Sequence, residues 1–450
     1  MTVSASLLDQ LTAVVGADNV ITRGSALRRG SQDFYWFSPV LKRELNDKLG
    51  DVIVQPRNVD ELRAVIALAV DAGVPITPRG AGTGNYGQSI PLQGGIVVNL
   101  RGLDRILDIT SDFARVEAGV LLHRLEASAR QIGAEMRFYP STLPTATAGG
   151  FLAGGSGGVG SVTWGTLWDE GNVLGATVMT VEAAPRLLTI DDPELLRGVV
   201  HNCGVTGIIT DLTLAVAPAR RWQQFVVAFD AFEDALRFGE TLAYDDALPK
   251  RLVTMLEWPI PSYFGQLIHV GAVPQGKALM LLLLDVDADS FRARVADAGG
   301  KVTWHDPDGI YRPGKLMLTD YAWNHTTLWA IKADEELTYL QDQFDPDRVY
   351  DQLRQRKARY GDRVLEHIEF MKFLGRMVPQ GLTLVRATSA AELQEITAFC
   401  ESIGIWTADP HTHFLDEDVR WNGQPILDAK AAWDPHGLLN PGHLKTLEQA

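Results

Sequence analysis

Residues 75–88 read Pro75-Ile76-Thr77-Pro78-Arg79-Gly80-Ala81-Gly82-Thr83-Gly84-Asn85-Tyr86-Gly87-Gln88. A helix-patterned apolar segment, residues 62–72, precedes the stretch, and a strand-like run, residues 96–100, follows it. Gly80, Gly82, Gly84 and Gly87 let backbone N–H groups turn inward around an anion. The Arg79 guanidinium and the Thr83 hydroxyl add hydrogen bonds suited to phosphate oxygens. The stretch reads as a pyrophosphate-binding loop, with a flexible hairpin loop as the plain alternative. The order helix, loop, strand excludes the Rossmann fingerprint, in which a strand runs through G-x-G-x-x-G into a helix. No Gly-Lys-Ser/Thr closes the loop, so it is not a Walker loop either.

Working upstream, residues 52–56 form a short buried-type strand. Asn58 caps the helix that follows, with Asp60 and Glu61 in its first turn. Leu62, Val65, Ile66, Ala69 and Val70 recur at a helical period, and Gly73 stops the run. A lead-in helix is expected over residues 5–15. The aromatic segment Asp33-Phe34-Tyr35-Trp36-Phe37 is expected to pack on the body or line a cleft.

Downstream, strands are expected at residues 96–100, 106–109 and 114–118, then a helix over 120–132 ended by Gly133. A second small-residue zone follows. It contains Pro140, Ser141, Thr142, Thr145, Thr147, Ala148, Gly149 and Gly150, then Gly154, Gly157, Gly158, Gly160 and Ser161. Small side chains suit places where a flat ligand approaches backbone closely. Phe151, Leu152, Trp164 and Trp168 are apolar anchors that a polar linker would lack. A third such loop, residues 201–210, holds Gly204, Gly207, Ile208 and Ile209 and runs into a strand. From about residue 221 these loops stop, and strands alternate with helices in the manner of an α+β sheet covered on one side.

The 450 residues imply two domains. Hydrophobic content of 46% and charged content of 22% are those of a globular protein without a bilayer span. A net charge of −15 argues against nucleic acid and anionic membrane surfaces as partners. No secretory signal is evident, and Cys203 and Cys400 read as reduced thiols, so a cytoplasmic location is expected.

Three glycine-rich loops, each beside a strand, imply one long, flat, anionic ligand, and a dinucleotide fits. Together they resemble the FAD-binding domain of the vanillyl-alcohol oxidase / p-cresol methylhydroxylase superfamily. The likeness spans about residues 50–220 and the tail Leu439-Asn440-Pro441-Gly442. The chain looks most like the glycolate oxidase flavoprotein subunit and D-lactate dehydrogenase branch. The resemblance implies an α+β, PCMH-type fold with two α/β subdomains. It implies an FAD-binding domain over residues 1–220, an antiparallel-sheet substrate (cap) domain over 221–420 and a returning C-terminal segment over 421–450. Pyrophosphate contacts are carried onto residues 79–88, and further FAD contacts onto 140–150, 154–161 and 204–209. Covalent members carry a histidine in the first loop, where this chain has Asn85 and Tyr86, so non-covalent FAD is expected.

The expected activity is FAD-dependent oxidation of an alcohol, foremost a 2-hydroxy acid, by hydride transfer to flavin N5. Alternatives are an aromatic or larger alcohol, or a flavin-binding electron-transfer subunit of a larger complex. Such oxidation needs a base for the hydroxyl proton and, for an acid substrate, an arginine for its carboxylate. His325, in a polar–aromatic cluster, and His411 and His413 are the candidate bases. Arg312 is the candidate carboxylate ligand, beside Tyr311, with Arg376 and Arg386 behind it. His367, between Glu366 and Glu369, reads as a helix-surface group. Asp409, His411 and His413 would share one face of an extended strand, a pattern open to a metal, though such groups more often serve as active-site polar groups or as hydrogen-bonded structure. The expected partners are a small-molecule substrate and an electron acceptor: oxygen, a quinone or a protein. Homo-oligomerisation stays open.

Overall fold

The computed structural model describes residues 3–417 and 422–448. Residue 421, where the expected C-terminal segment begins, and its last two residues lie outside the described part.

The stretch around Arg79 sits on the edge of a four-stranded sheet. Its order is Val20–Ile21, Val52–Val54, Ile96–Asn99, Ile76–Arg79. Val52–Val54 and Ile76–Arg79 both run parallel to Ile96–Asn99. Helix Val59–Asp71 carries the chain from Val52–Val54 to Ile76–Arg79, which flank Ile96–Asn99, and the glycine loop lies in the crossover from Ile76–Arg79 to its parallel neighbour Ile96–Asn99. Asn58 caps that helix, accepting from Glu61 N–H at 2.9 Å. Leu62, Val65, Ile66 and Ala69 pack on the sheet and against Leu7, Leu11 and Val15 of helix Ala5–Val15. The strand ends at Arg79, so the glycine loop leaves from the carboxyl end of a parallel strand, where ligands bind in open α/β sheets.

A second, antiparallel sheet runs Ile106–Ile109, Phe113–Glu117, Ile208–Pro218, Val173–Met179, Leu187–Ile190, with Ala134–Met136 also on Ile208–Pro218. Its strand Ile208–Pro218 begins directly after the third glycine loop.

The later half of the chain builds an eight-stranded antiparallel sheet and a three-stranded one. Both faces of the larger sheet are dry, not one as the alternating elements suggested. Phe225, Val227 and Phe229 point to a core with helices Phe232–Ala243 and Ala288–Asp297. Val226 and Ala228 point the other way, into a core shared with residues of the second sheet such as Val116 and Val178. Arg251 crosses this junction. It is 3% exposed, donates to the Met136 carbonyl at 2.7 Å and lies 3.2 Å from Glu126. Removing one partner of such a buried pair strands the other, so the contact fixes the two parts in register.

Two local readings are overturned. His367 is on strand His367–Phe373, fully buried, with Nε2 3.0 Å from Glu369 Oε1. Glu369, two residues on, shares its face of the strand, while Glu366 binds Arg356 instead. The strand before Asp409 ends at Ala408, and the chain turns there, so Asp409, His411 and His413 do not share a strand face. Among the described residues no group of three such side chains is placed to hold a metal ion.

The tail returns as helix Gln424–Trp433, after which Leu439 pairs with Ile76 in parallel. Among the described residues no helix is long and apolar enough to cross a membrane.

Candidate functional site

One cavity of about 280 Å³ runs along the three glycine-rich loops and under the large sheet. Residues 79–86 and 88 of the first loop line it, as do 140–142, 147, 149–150, 154 and 157 of the second and 204, 207 and 209 of the third. The other residues singled out in these loops lie behind the wall. Gly87 packs against Leu45, and Ile208 is buried in the core under the parallel sheet. Thr145 is exposed, and Ala148 and Ser161 are buried beneath the surface. Gly158 and Gly160 are needed by the protein itself. A Cβ on either would come within 2.1 Å of the Tyr139 or Arg137 carbonyl. Gly80 is equally tight, because a Cβ there would meet Thr147 Oγ1 at 2.2 Å.

Among the described residues the lining contains no aspartate or glutamate, although the chain holds 56 of them. It contains Arg79, whose guanidinium folds over Gly82 and donates to Ser89 Oγ at 3.2 Å and the Arg29 carbonyl at 3.3 Å. Burial pushes Arg79 down to about 10, which leaves it charged at neutral pH. Asp33 lies behind the loop. Burial pushes its carboxyl up to about 7, against the pull of Arg79. Gln88 Nε2 is buried with no protein partner, while its Oε1 accepts from Tyr86 N–H at 3.1 Å. Asn440 anchors the loops from the tail, donating to the Gln88 and Cys203 carbonyls at 2.8 Å each. Asn440, Cys203 and His201 all have positive φ, so backbone strain is concentrated at this junction.

The opposite wall comes from the later half of the chain. Strand Gln341–Gln343 pairs with Arg376–Gly381 and Trp406–Ala408. Gln343 lies across from both Gln380 and Trp406, and these three line the cavity together with Gln341. Asp342 points the other way, 2.6 Å from the buried Arg356. Among the described residues, no lysine or arginine from this half reaches the lining. The Gln-Asp-Gln alternation of residues 341–343 is a local sign of one strand of this wall. The pairing that gathers the wall is non-local and left no trace in the glycine pattern.

His325 is in the cavity wall, on the first turn of helix Asn324–Ala333. Burial, and secondarily Lys332, pushes its imidazole down to about 4. It is therefore neutral at physiological pH and able to accept a proton. The other candidates lie elsewhere. His411 is 6% exposed, and both ring nitrogens are engaged, with Ser38 Oγ at 2.8 Å and the Tyr339 carbonyl at 2.9 Å. A carbonyl only accepts, so Nε2 carries the proton and Nδ1 accepts from Ser38. His413 borders a small separate cavity, with Nδ1 3.6 Å from Glu44. Arg312 is exposed and paired with Asp308 at 2.8 Å. Tyr311 packs beside His123, with ring centroids 6.3 Å apart, outside the cavity. Arg386 is bound to Asp334 at 2.6 Å.

Residues 50–184 match the protein family described as "FAD binding domain". The chain is 29% identical over 195 residues to a D-lactate dehydrogenase of Anaerostipes hadrus, covering 41% of this chain and 40% of the relative. It is 25% identical over 247 residues to the glycolate oxidase subunit GlcD of Bacillus subtilis, covering 52% and 51%. The chain thus spans about half the length, or less, of these curated relatives. Among solved structures, an alkyldihydroxyacetonephosphate synthase superposes with a TM-score of 0.74 at 14% identity, over 97% of this chain and 86% of the other. A 4-ethylphenol oxidase from Gulosibacter chungangensis superposes with a TM-score of 0.70 at 15% identity, over 99% of each. These likenesses establish the fold, which is the PCMH-type fold expected. The residues present fit FAD. Among the described residues the cavity is free of carboxylates, carries a cation and an unpaired amide donor at the first loop, and is lined by glycines along all three loops.

Proposed function

We propose, from the match of residues 50–184 to the FAD binding domain family, that the chain is an FAD-dependent oxidoreductase acting on a CH–OH group. The observation that carries the proposal is the single cavity that joins all three glycine-rich loops to His325 and an amide-and-aromatic wall. Residues 79–88 hold the pyrophosphate, with Arg79 supplying the charge and loop N–H groups the hydrogen bonds. Asn85 and Tyr86 stand where covalent members have histidine, so the cofactor is held non-covalently. Bound FAD supplies the two-electron hydride acceptor. His325, neutral at working pH, would be the group of this chain that takes the substrate hydroxyl proton. Leu328, Met371, Phe373, Leu382 and Trp406 exclude water from the reacting carbon.

The printed names of the curated relatives support a 2-hydroxy acid as substrate, and the Gln341, Gln343 and Gln380 amides are then the donors to its carboxylate. A second reading, an aromatic or larger uncharged alcohol, is favoured by one observation: among the described residues the substrate wall carries no lysine or arginine. Anaerobic bleaching of the bound flavin with D-lactate, glycolate, benzyl alcohol and 4-hydroxybenzyl alcohol tests both. Bleaching by the acids alone supports the first reading, and bleaching by the neutral alcohols alone supports the second. No bleaching by any alcohol, with full flavin content, removes the CH–OH assignment and leaves the electron-transfer role.

A further inference from the structure

The turn that presents His325 is strained, and a buried carboxylate holds it. Trp323 has φ 53° and ψ −142°, a conformation that is strained for a non-glycine residue and persists only where the surroundings enforce it. Its backbone N–H donates to Glu369 Oε1 at 2.8 Å. Glu369 is 1% exposed, and it is itself fixed on both oxygens. Oε2 accepts from Thr254 Oγ1 at 2.6 Å, and Oε1 also faces His367 Nε2 at 3.0 Å. Helix Asn324–Ala333 begins at the next residue and has no side-chain cap. Trp323 Nε1 and Asn324 Oδ1 are both buried without a protein partner, so neither side chain anchors the turn. A second tether, Thr326 Oγ1 to the Tyr321 carbonyl at 2.6 Å, holds the far side. The bond from Glu369 is what enforces the unusual backbone at Trp323, two residues before His325.

We propose that Glu369 is a positioning residue: by holding the Trp323 amide it sets where the first helical turn places the His325 imidazole on the cavity wall. The inference rests on the reading of His325 as proton acceptor. It assigns a task to the network Glu369–Thr254–His367, which touches no cavity atom.

The test uses the full chain loaded with FAD and whichever of the four alcohols above is turned over fastest. Glu369→Ala should lower kcat roughly 10²-fold, with KM and the flavin spectrum near wild type, because small misplacement of a reacting group has that cost. Glu369→Gln keeps an oxygen acceptor for the Trp323 amide and should restore kcat to within a few-fold. Combining Glu369→Ala with His325→Gln should add little to His325→Gln alone, since both remove the same contribution. The displacement should also be read without turnover, as a several-fold change in diethylpyrocarbonate modification of His325 in flavin-free protein. If Glu369→Ala does not fold, the near-isosteric Thr254→Val removes one anchor of the carboxylate and should lower kcat several-fold. Full kcat in the Glu369→Ala or Thr254→Val protein, or fully additive losses, overturns the positioning role. Full kcat in His325→Gln overturns instead the reading on which it rests.

Discussion

The Asn440 carboxamide nitrogen lies 2.8 Å from the Gln88 carbonyl, which ties the segment after helix Gln424–Trp433 to the end of the first glycine loop. The same nitrogen donates to the Cys203 carbonyl at 2.8 Å, so one side chain clamps the first and third loops together. Asn440 has φ 46°, a region that glycine also tolerates. Asn440→Gly therefore keeps the backbone and removes both bonds. Each stranded buried carbonyl costs about 1–3 kcal/mol. The variant should unfold at lower denaturant and retain FAD poorly, as checked by urea titration and by flavin content after gel filtration.

Two glycines in the cavity wall separate a protein requirement from a ligand requirement. A Cβ at Gly80 collides with Thr147 Oγ1, which caps helix Ala148–Gly154, so Gly80→Ala should destabilise the flavin-free protein as well as weaken FAD binding. A Cβ at Gly154 meets nothing closer than Gln88 Nε2 at 3.5 Å. Gly154→Ala should leave the flavin-free protein at least as stable, because alanine favours a helix by about 1 kcal/mol over glycine. It should still weaken FAD binding at least tenfold, measured by flavin fluorescence titration, because the methyl group enters the cavity.

His325 gives a pH dependence that is easy to recognise. A base works deprotonated, and burial has pushed this one down to about 4. The rate should therefore be indifferent to this group between pH 5 and 8 and fall only as pH drops through about 4. An ordinary exposed histidine would set its limb near 6.5. His325→Gln should reduce kcat by about 10²- to 10⁴-fold and keep the flavin. A pH–rate profile with wild type and variant checks both.

These elements also show what could be read without coordinates. Helix Val59–Asp71 and its Asn58 cap were legible because period and capping are local. So was the run of glycines 80–87, since no other residue type turns so many amides toward one point. His367 was misread because two flanking acids look alike on a helix face and a strand edge, and only burial by the neighbouring strands decides. The wall of Gln341, Gln343, Gln380 and Trp406 was invisible as a unit, because cross-strand pairing between distant segments assembles it. His411 looked chemical by residue type, but Ser38 and the Tyr339 carbonyl occupy both of its nitrogens.

Asp33 should make stability depend on pH in a defined window. Its carboxyl titrates near 7 in the folded chain and at an ordinary 3.8 when unfolded, because burial disfavours the charge. Below about 3.8 both states hold the proton. Between about 3.8 and about 7 only the folded state does, so stability from this group is lost as pH rises through that window. The ceiling is about 1.4 kcal/mol per pH unit. Asp33→Asn lacks the titration. Its urea midpoint should gain on wild type from pH 4 to 7 and run parallel above. A constant offset across that range contradicts the assignment.

The most direct measurement is the visible absorption spectrum of the purified protein, repeated on the supernatant after acid precipitation. The account predicts a flavin spectrum that passes into the supernatant as FAD, equimolar with protein, and a colourless pellet. A colourless protein that takes up no added FAD would contradict the cavity assignment. Colour that stays in the pellet would contradict non-covalent binding at Asn85 and Tyr86.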